Sequence, residues 1–167
     1  GRRPDMVLSG INEGRNVAED VSYSGTMAVA REAALNGIPG IAFSAPRDSD
    51  TFSDAGFDWL SARIRSFWDT RGEWASEGHW LNVNLPRRVP APMRAARIGR
   101  DKVATRVLIH EEDAVSARIE PLADRNYFTT GEDENGLIDS GFAAVTCLNW
   151  FGNAQVPAGA LHDLETA

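Results

Sequence analysis

Residues 5–44 constrain the fold of this chain more than any other stretch, because they read as strand, loop, helix and strand in immediate succession. Asp5-Met6-Val7-Leu8-Ser9 places Met, Val and Leu consecutively, the pattern of a strand covered on both faces of a parallel sheet. Gly10-Ile11-Asn12-Glu13-Gly14-Arg15-Asn16 follows as a loop. Its glycines let the backbone turn tightly beside a ligand, and its Asn carboxamides offer neutral acceptors and donors. Ser24 is placed to cap a helix in which Met27, Ala30, Ala34 and Leu35 recur at helical spacing down to Asn36. Gly37-Ile38-Pro39 ends that helix, and Gly40-Ile41-Ala42-Phe43-Ser44 is a second strand. This is a βαβ unit, which implies a parallel pair with a right-handed crossover. Ligands of such sheets sit outside the carboxyl ends of the strands, where the residue 10–16 loop lies. The helix start Ser24-Gly25-Thr26 presents unpaired amides, a positive dipole end and two hydroxyls, which together suit a phosphate group.

Downstream, Phe57, Leu60, Ile64, Phe67 and Trp68 line one face of an expected covering helix between Ser53 and Thr70. Trp80 to Pro86 alternates large and polar side chains and reads as a third strand. Short β-like runs follow at Arg94 to Ile98, Val103 to Ile109, Ala114 to Ile119 and Phe142 to Leu148. The expected architecture is therefore α/β: a Rossmann-like, three-layer parallel sheet over residues 1–86, with a β-rich extension and a late core strand in 87–167, forming one domain. A hydrophobic share of 43% over 167 residues allows an ordinary core. No apolar run is long enough for a membrane span. The net charge of −7, with no basic patch interleaved with aromatics, argues against a nucleic-acid polymer as partner. Cys147 has no internal partner, which suits a reducing compartment and points to the cytoplasm.

The segment from Pro4 to Asn16 with its SGIN-x-G-x-N element, the Tyr23-Ser24-Gly25-Thr26 element, and Gly37-Ile38-Pro39 together resemble the SurE family of metal-dependent nucleotidases. Leu81 to Pro86 and Asp139 to Thr146 resemble later strands of that family. The resemblance implies hydrolysis of phosphate monoesters, chiefly nucleoside 5′- and 3′-monophosphates, with a divalent cation, Mg²⁺ or Mn²⁺, held by oxygen ligands. It implies Asn12 as a metal ligand and catalytic residue, Asn16 as a catalytic and phosphate-pocket residue, and Ser24, Gly25 and Thr26 as phosphate-binding. Two adjacent Asp and a Ser that complete the family's ligand set have no counterpart here and would precede Gly1. Because the chain opens Gly1-Arg2-Arg3-Pro4 without Met, it is expected to be the larger carboxyl-terminal part of such an enzyme, inactive and poorly soluble by itself. A homodimer or homotetramer is implied in part through the β-rich extension.

Read without the resemblance, other residues have plainer roles. Ser24 and Thr26 serve as helix caps, and Arg15 is a solvated loop residue. Glu111-Glu112-Asp113 and Glu132-Asp133-Glu134 are solvated turns. His79, His110 and His162 show no ligand spacing, and Cys147 is a buried small hydrophobe. Two other functional classes stand beside the hydrolase: a non-catalytic nucleotide- or phosphate-binding module, and a different α/β hydrolase. The last lacks a Ser or Cys nucleophile in the loop and any G-x-S-x-G elbow.

Overall fold

The computed structural model describes residues 2–76, 78–100, 106–122 and 131–150. Its elements in chain order are β1 (Val7–Glu13), α1 (Gly25–Leu35), β2 (Gly40–Ala45), α2 (Asp54–Asp69), the short α3 (Arg71–Trp74), β3 (His79–Asn84), β4 (Met93–Ala95), β5 (Arg106–Glu112), β6 (Ala117–Leu122), α4 (Glu134–Asp139) and β7 (Ala143–Asn149). Two 3₁₀ turns, Ala18–Ser22 and Asp50–Phe52, precede α1 and α2.

One sheet carries strands in the order β1-β2-β3-β7-β4. The β1–β2, β2–β3 and β4–β7 pairs are parallel, and β7 runs antiparallel to β3. Helices cover both faces, so the three-layer α/β expectation holds, with one antiparallel strand inside the sheet. Ile41, Phe43, Leu81, Val83 and Leu85 project towards α2, where Leu60 and the half-buried Ile64 and Phe67 cover them. Ala42 and Trp80 project the other way, under Met27, Ala30 and Ala34 of α1. The β5–β6 pair forms a separate antiparallel sheet, as expected for an appended hairpin. Of the run expected at Val103 to Ile109, residues 103–105 lie outside the described residues.

Local chemistry explains the helix boundaries. Ser24 Oγ accepts from the Met27 N–H and Ser53 Oγ from the Gly56 N–H, the side-chain caps a helix start needs. Gly37 at φ +66° closes α1, and its N–H donates back to the Ala34 carbonyl.

Four expectations are corrected. The first strand is not covered on both faces: β1 is an edge strand among the described residues, with alternating exposure and Leu8 47% exposed. It also runs beyond Ser9 to Glu13, so Gly10 to Glu13 are strand rather than loop, with the β1–β2 register shifting between Ser9 and Asn12. Leu35, expected on the packed face of its helix, is 45% exposed. Cys147 is exposed, because residues of β7 alternate and Thr146 takes the buried side; partial desolvation still pushes its thiol pKa up.

Candidate functional site

The carboxyl ends of β1, β2 and β3 lie on one edge of the sheet because the three strands are parallel. Helix α1 runs back against them: its far end meets the start of β1, where the Val7 N–H donates to the Pro39 carbonyl at 2.9 Å. Its first turn, Ser24 to Thr26, therefore lies towards the same carboxyl edge as Asn12. The topology thus assembles on one edge two groups of residues that the sequence separates by a dozen positions.

Asn12 sits near the end of β1, half-buried and in register with Ser44 of β2. Its Nδ2 donates to the adjacent Glu13 carbonyl at 3.2 Å, and among the described residues nothing donates to its Oδ1. Gly10 makes this placement possible. Its φ is +109°, and a Cβ there would lie 2.3 Å from the Phe43 carbonyl oxygen, so β1 reaches its bulge only with glycine.

Asn16 is 5% exposed and held from every side. Its backbone N–H donates to Asn84 Oδ1 at 2.9 Å, and its carbonyl accepts from Asn82 Nδ2 at 2.8 Å and Asn84 Nδ2 at 2.9 Å. Its own Nδ2 donates to Ser44 Oγ at 2.6 Å. Ser44, Asn82 and Asn84 are themselves buried, on the α1 face of adjacent strands. This amide network fixes where the loop leaves β1. Among the described residues Asn82 Oδ1 has no hydrogen-bond partner, an unusual state for a buried acceptor.

At the helix start, Ser24 Oγ is occupied as an acceptor in capping but keeps its hydroxyl proton to donate. The backbone N–H groups of Gly25 and Thr26 precede the first helical acceptor and have none among the described residues. Capping and anion binding are therefore compatible here.

Three residues read as solvated are part of the scaffold. Arg15 is only 19% exposed at its side chain; it donates to Asn135 Oδ1 at 2.8 Å and pairs with Asp139, both on α4. Asp133 and Glu134 are 3% and 0% exposed. Asp133 Oδ1 caps α4 by accepting from the Gly136 N–H, while Glu134 accepts from the Gly99 N–H at 2.6 Å and from Thr146 Oγ1 at 3.4 Å. A run of three acids reads as a solvated turn; Glu132 is exposed as that reading expects, while the nonlocal contacts with residue 99 and β7 hold Glu134 inside. By contrast Glu111-Glu112-Asp113 is exposed as expected, with Asp113 held below its ordinary carboxylate pKa by the Val115 and Ser116 N–H groups. Asn82 and Asn84 went unassigned in sequence, although their spacing of two in a strand was a signal that they share a face. Among the described residues no histidine joins the site: His79 contacts the Ser76 carbonyl and His110 contacts Glu120 at 2.7 Å, while His162 lies outside the described residues. Among the described residues no three His, Cys, Asp or Glu side chains gather as a metal cluster.

Burial pushes the Glu134 pKa up to about 7 from an ordinary 4.5, against the opposing pull of its N–H donors. The folded state then holds this proton more tightly than the unfolded chain. Between about pH 4.5 and 7 it binds more protons, so stability falls as pH rises through that window, by at most about 1.4 kcal/mol per unit. Urea midpoints at pH 5 and pH 8 should show this fall for the native protein and a smaller one for Glu134→Gln. Equal pH dependence in the two proteins would contradict it.

The profile of the family described as Survival protein SurE matches residues 1–105. A protein of Cytophaga hutchinsonii named 5′-nucleotidase SurE is 37% identical over 138 residues, covering 81% of this chain and 49% of that protein. Its namesake in Brevibacillus brevis is 39% identical over 124 residues, covering 72% and 44%. The crystal structure of the SurE protein from Aquifex aeolicus superposes with a TM-score of 0.72 at 29% identity, covering 98% of this chain and 66% of that one. The chain spans about half the length of the curated relatives it matches. With a family profile over most of its length and the same three-layer sheet, this chain belongs to the SurE family.

Proposed function

We propose that the intact protein is a metal-dependent phosphomonoesterase that hydrolyses nucleoside 5′- and 3′-monophosphates to nucleoside and phosphate, and that residues 1–167 belong to its single SurE-like domain. The observation that carries this reading is the common sheet edge of Asn12, whose carboxamide oxygen is unengaged among the described residues, and the Ser24 to Thr26 helix start. Catalysis of this reaction rests mainly on stabilising charge around the transferring phosphoryl group.

A divalent cation, Mg²⁺ or Mn²⁺, supplies much of that stabilisation when bound, and a carboxamide oxygen is the hard, neutral donor such an ion accepts. Asn12 would be one of its ligands. The chain's own residues do the rest: Ser24 Oγ–H and the Gly25 and Thr26 N–H groups donate to phosphoryl oxygens and add no negative charge. Asn16, buried and bonded through backbone and side chain, fixes the loop joining these two parts, so its role is to orient. The net charge of −7 repels anions at long range, so these local dipoles and the cation must hold the substrate.

The exposed apolar side chains of the β5–β6 hairpin, among them Val107, Ile109 and Ile119, are the surface by which copies would join as a homodimer or homotetramer. A cytoplasmic setting fits the free Cys147. Among the described residues no helix is long and apolar enough to cross a membrane.

A second reading, a phosphate-binding module without turnover, is favoured by one fact: the described residues supply a single candidate metal ligand and no acidic cluster. Titrating a nucleoside monophosphate with and without Mn²⁺ separates the two. Phosphate release that requires the metal supports the hydrolase. Metal-independent binding without release supports the module.

A further inference from the structure

We infer that Asn84 is a positioning residue for the phosphate site, because its side-chain amide holds the backbone of Asn16 as a facing strand would; this rests on the hydrolase reading above. Asn84 Oδ1 accepts from the Asn16 N–H at 2.9 Å, and Asn84 Nδ2 donates to the Asn16 carbonyl, also at 2.9 Å. These are the two bonds that directly opposed residues exchange in an antiparallel ladder. One side-chain amide makes both only when the N–H and C=O of residue 16 turn to the same side, as they do in extended backbone. Val17 continues that course at φ −133° and ψ 156°. A carboxylate in place of the amide lacks the donor, and glutamine carries the amide one methylene further, so the pair is specific to asparagine.

Strand register puts this grip beside the site. Asn12, Ser44 and Asn84 form one row across β1, β2 and β3, with Asn12 next to Ser44 and Ser44 next to Asn84. The loop leaving β1 crosses that row. The Gly14 N–H donates to the Ala45 carbonyl at the end of β2, Asn16 Nδ2 donates to Ser44 Oγ, and the Asn16 backbone then locks onto Asn84. From there the chain passes through Val17 and the 3₁₀ turn Ala18–Ser22 to the Ser24 cap. Residue 16 lies between Asn12 and Ser24 in the chain, so fixing it over β3 sets how the loop delivers the helix start to the sheet edge. Among the described residues the Asn84 amide bonds to Asn16 alone and acts through it. Asn82, buried on the same face of β3, holds only one end of residue 16: its Nδ2 donates to the Asn16 carbonyl at 2.8 Å, and its Oδ1 has no partner among the described residues.

Asn84→Ala and Asn82→Ala remove the same atoms from neighbouring buried positions, but only the first leaves the Asn16 N–H without its acceptor. In the intact protein, exchange of the Asn16 amide relative to amides of β2 should speed about tenfold in Asn84→Ala and less than about threefold in Asn82→Ala, the scale of one lost hydrogen bond. At a temperature where all three proteins are fully folded, kcat for a nucleoside monophosphate with Mn²⁺ should fall roughly 10- to 100-fold in Asn84→Ala, with KM changed less than about threefold, the scale of a small misplacement of reacting groups. That fall should exceed the one in Asn82→Ala by at least about fivefold, because the carbonyl alone loses a bond there. Should Asn84→Ala fail to fold, Asn84→Leu, which fills the space and makes neither bond, is read in the same way. Unchanged exchange of the Asn16 amide overturns the inference whatever the activity. Faster exchange with unchanged kcat, or equal losses of kcat in the two variants, overturns the positioning role, since an equal loss follows from a hole in β3 and not from the Asn16 pair. If the native protein itself releases no phosphate with Mn²⁺, the hydrolase reading fails and the positioning role falls with it, while the exchange data still decide whether Asn84 holds the loop.

Discussion

Asn12→Ala in the intact protein should lower kcat for a nucleoside monophosphate on the order of 100-fold, the scale on which losing a metal-site group acts. The substitution removes a carboxamide whose Nδ2 makes one weak bond to the neighbouring carbonyl and whose Oδ1 receives none among the described residues. Little folding energy therefore depends on it. The bulge that presents residue 12 is set by the backbone of Gly10 and the β1–β2 ladder, which alanine at 12 leaves in place. A thermal midpoint close to that of the native protein, with activity lost, is the signature expected of a ligand. Lost activity accompanied by a matching loss of stability would instead mark Asn12 as a structural residue of β1.

The largest loss of stability is expected at Gly40, the first residue of β2. A Cβ there would lie 2.3 Å from the Ala30 carbonyl oxygen, 3.0 Å from its carbonyl carbon and 3.1 Å from its Cα, all backbone of α1. No side chain can swing aside. The helix must lift from the sheet, and with it the contacts of Met27, Ala30 and Ala34 over Ala42 and Trp80. Gly40→Ala should therefore cost roughly 3–5 kcal/mol, a large share of a typical domain's stability. Gly72→Ala is the control, since nothing lies within 4 Å of its Cβ; it sits in α3, where alanine should be neutral or slightly stabilising. Urea denaturation of both variants checks the pair, and a Gly40→Ala loss below about 1 kcal/mol would contradict the close packing of α1 on β2.

Local signals carried most of the helices and strands. The Ser24 cap, the Gly37 stop and the covering helix are decided within one or two turns of chain and appear where the residue pattern put them, although within that helix Leu60, Ile64 and Phe67 pack on the sheet while Phe57 is 47% exposed. What the sequence did not disclose was set by distant partners. Met-Val-Leu in succession reads as an interior strand, yet among the described residues strand order, which no local pattern encodes, puts β1 at the edge. The insertion of β7 between β3 and β4, antiparallel to one and parallel to the other, is likewise a matter of long-range pairing. Arg15 and Glu134 have the composition of solvated residues, and only their pairing with α4, residue 99 and β7 takes them inside. At the site, Asn12 and Ser24 to Thr26 were legible from their motifs. The supporting layer of Ser44, Asn82 and Asn84 was not, because its residues sit on two strands and meet Asn16 only in the folded chain.

The central claim is that Asn12 helps hold a divalent cation at the carboxyl edge of the sheet, beside the helix start that grips phosphate. Its most direct test is the Mn²⁺ dependence of phosphate release from a nucleoside monophosphate, compared between the intact native protein and Asn12→Ala. The expected result is a midpoint for Mn²⁺ raised at least 10-fold in the variant, the scale of a lost metal-site contact. A variant with the same Mn²⁺ midpoint as the native protein would contradict the ligand role.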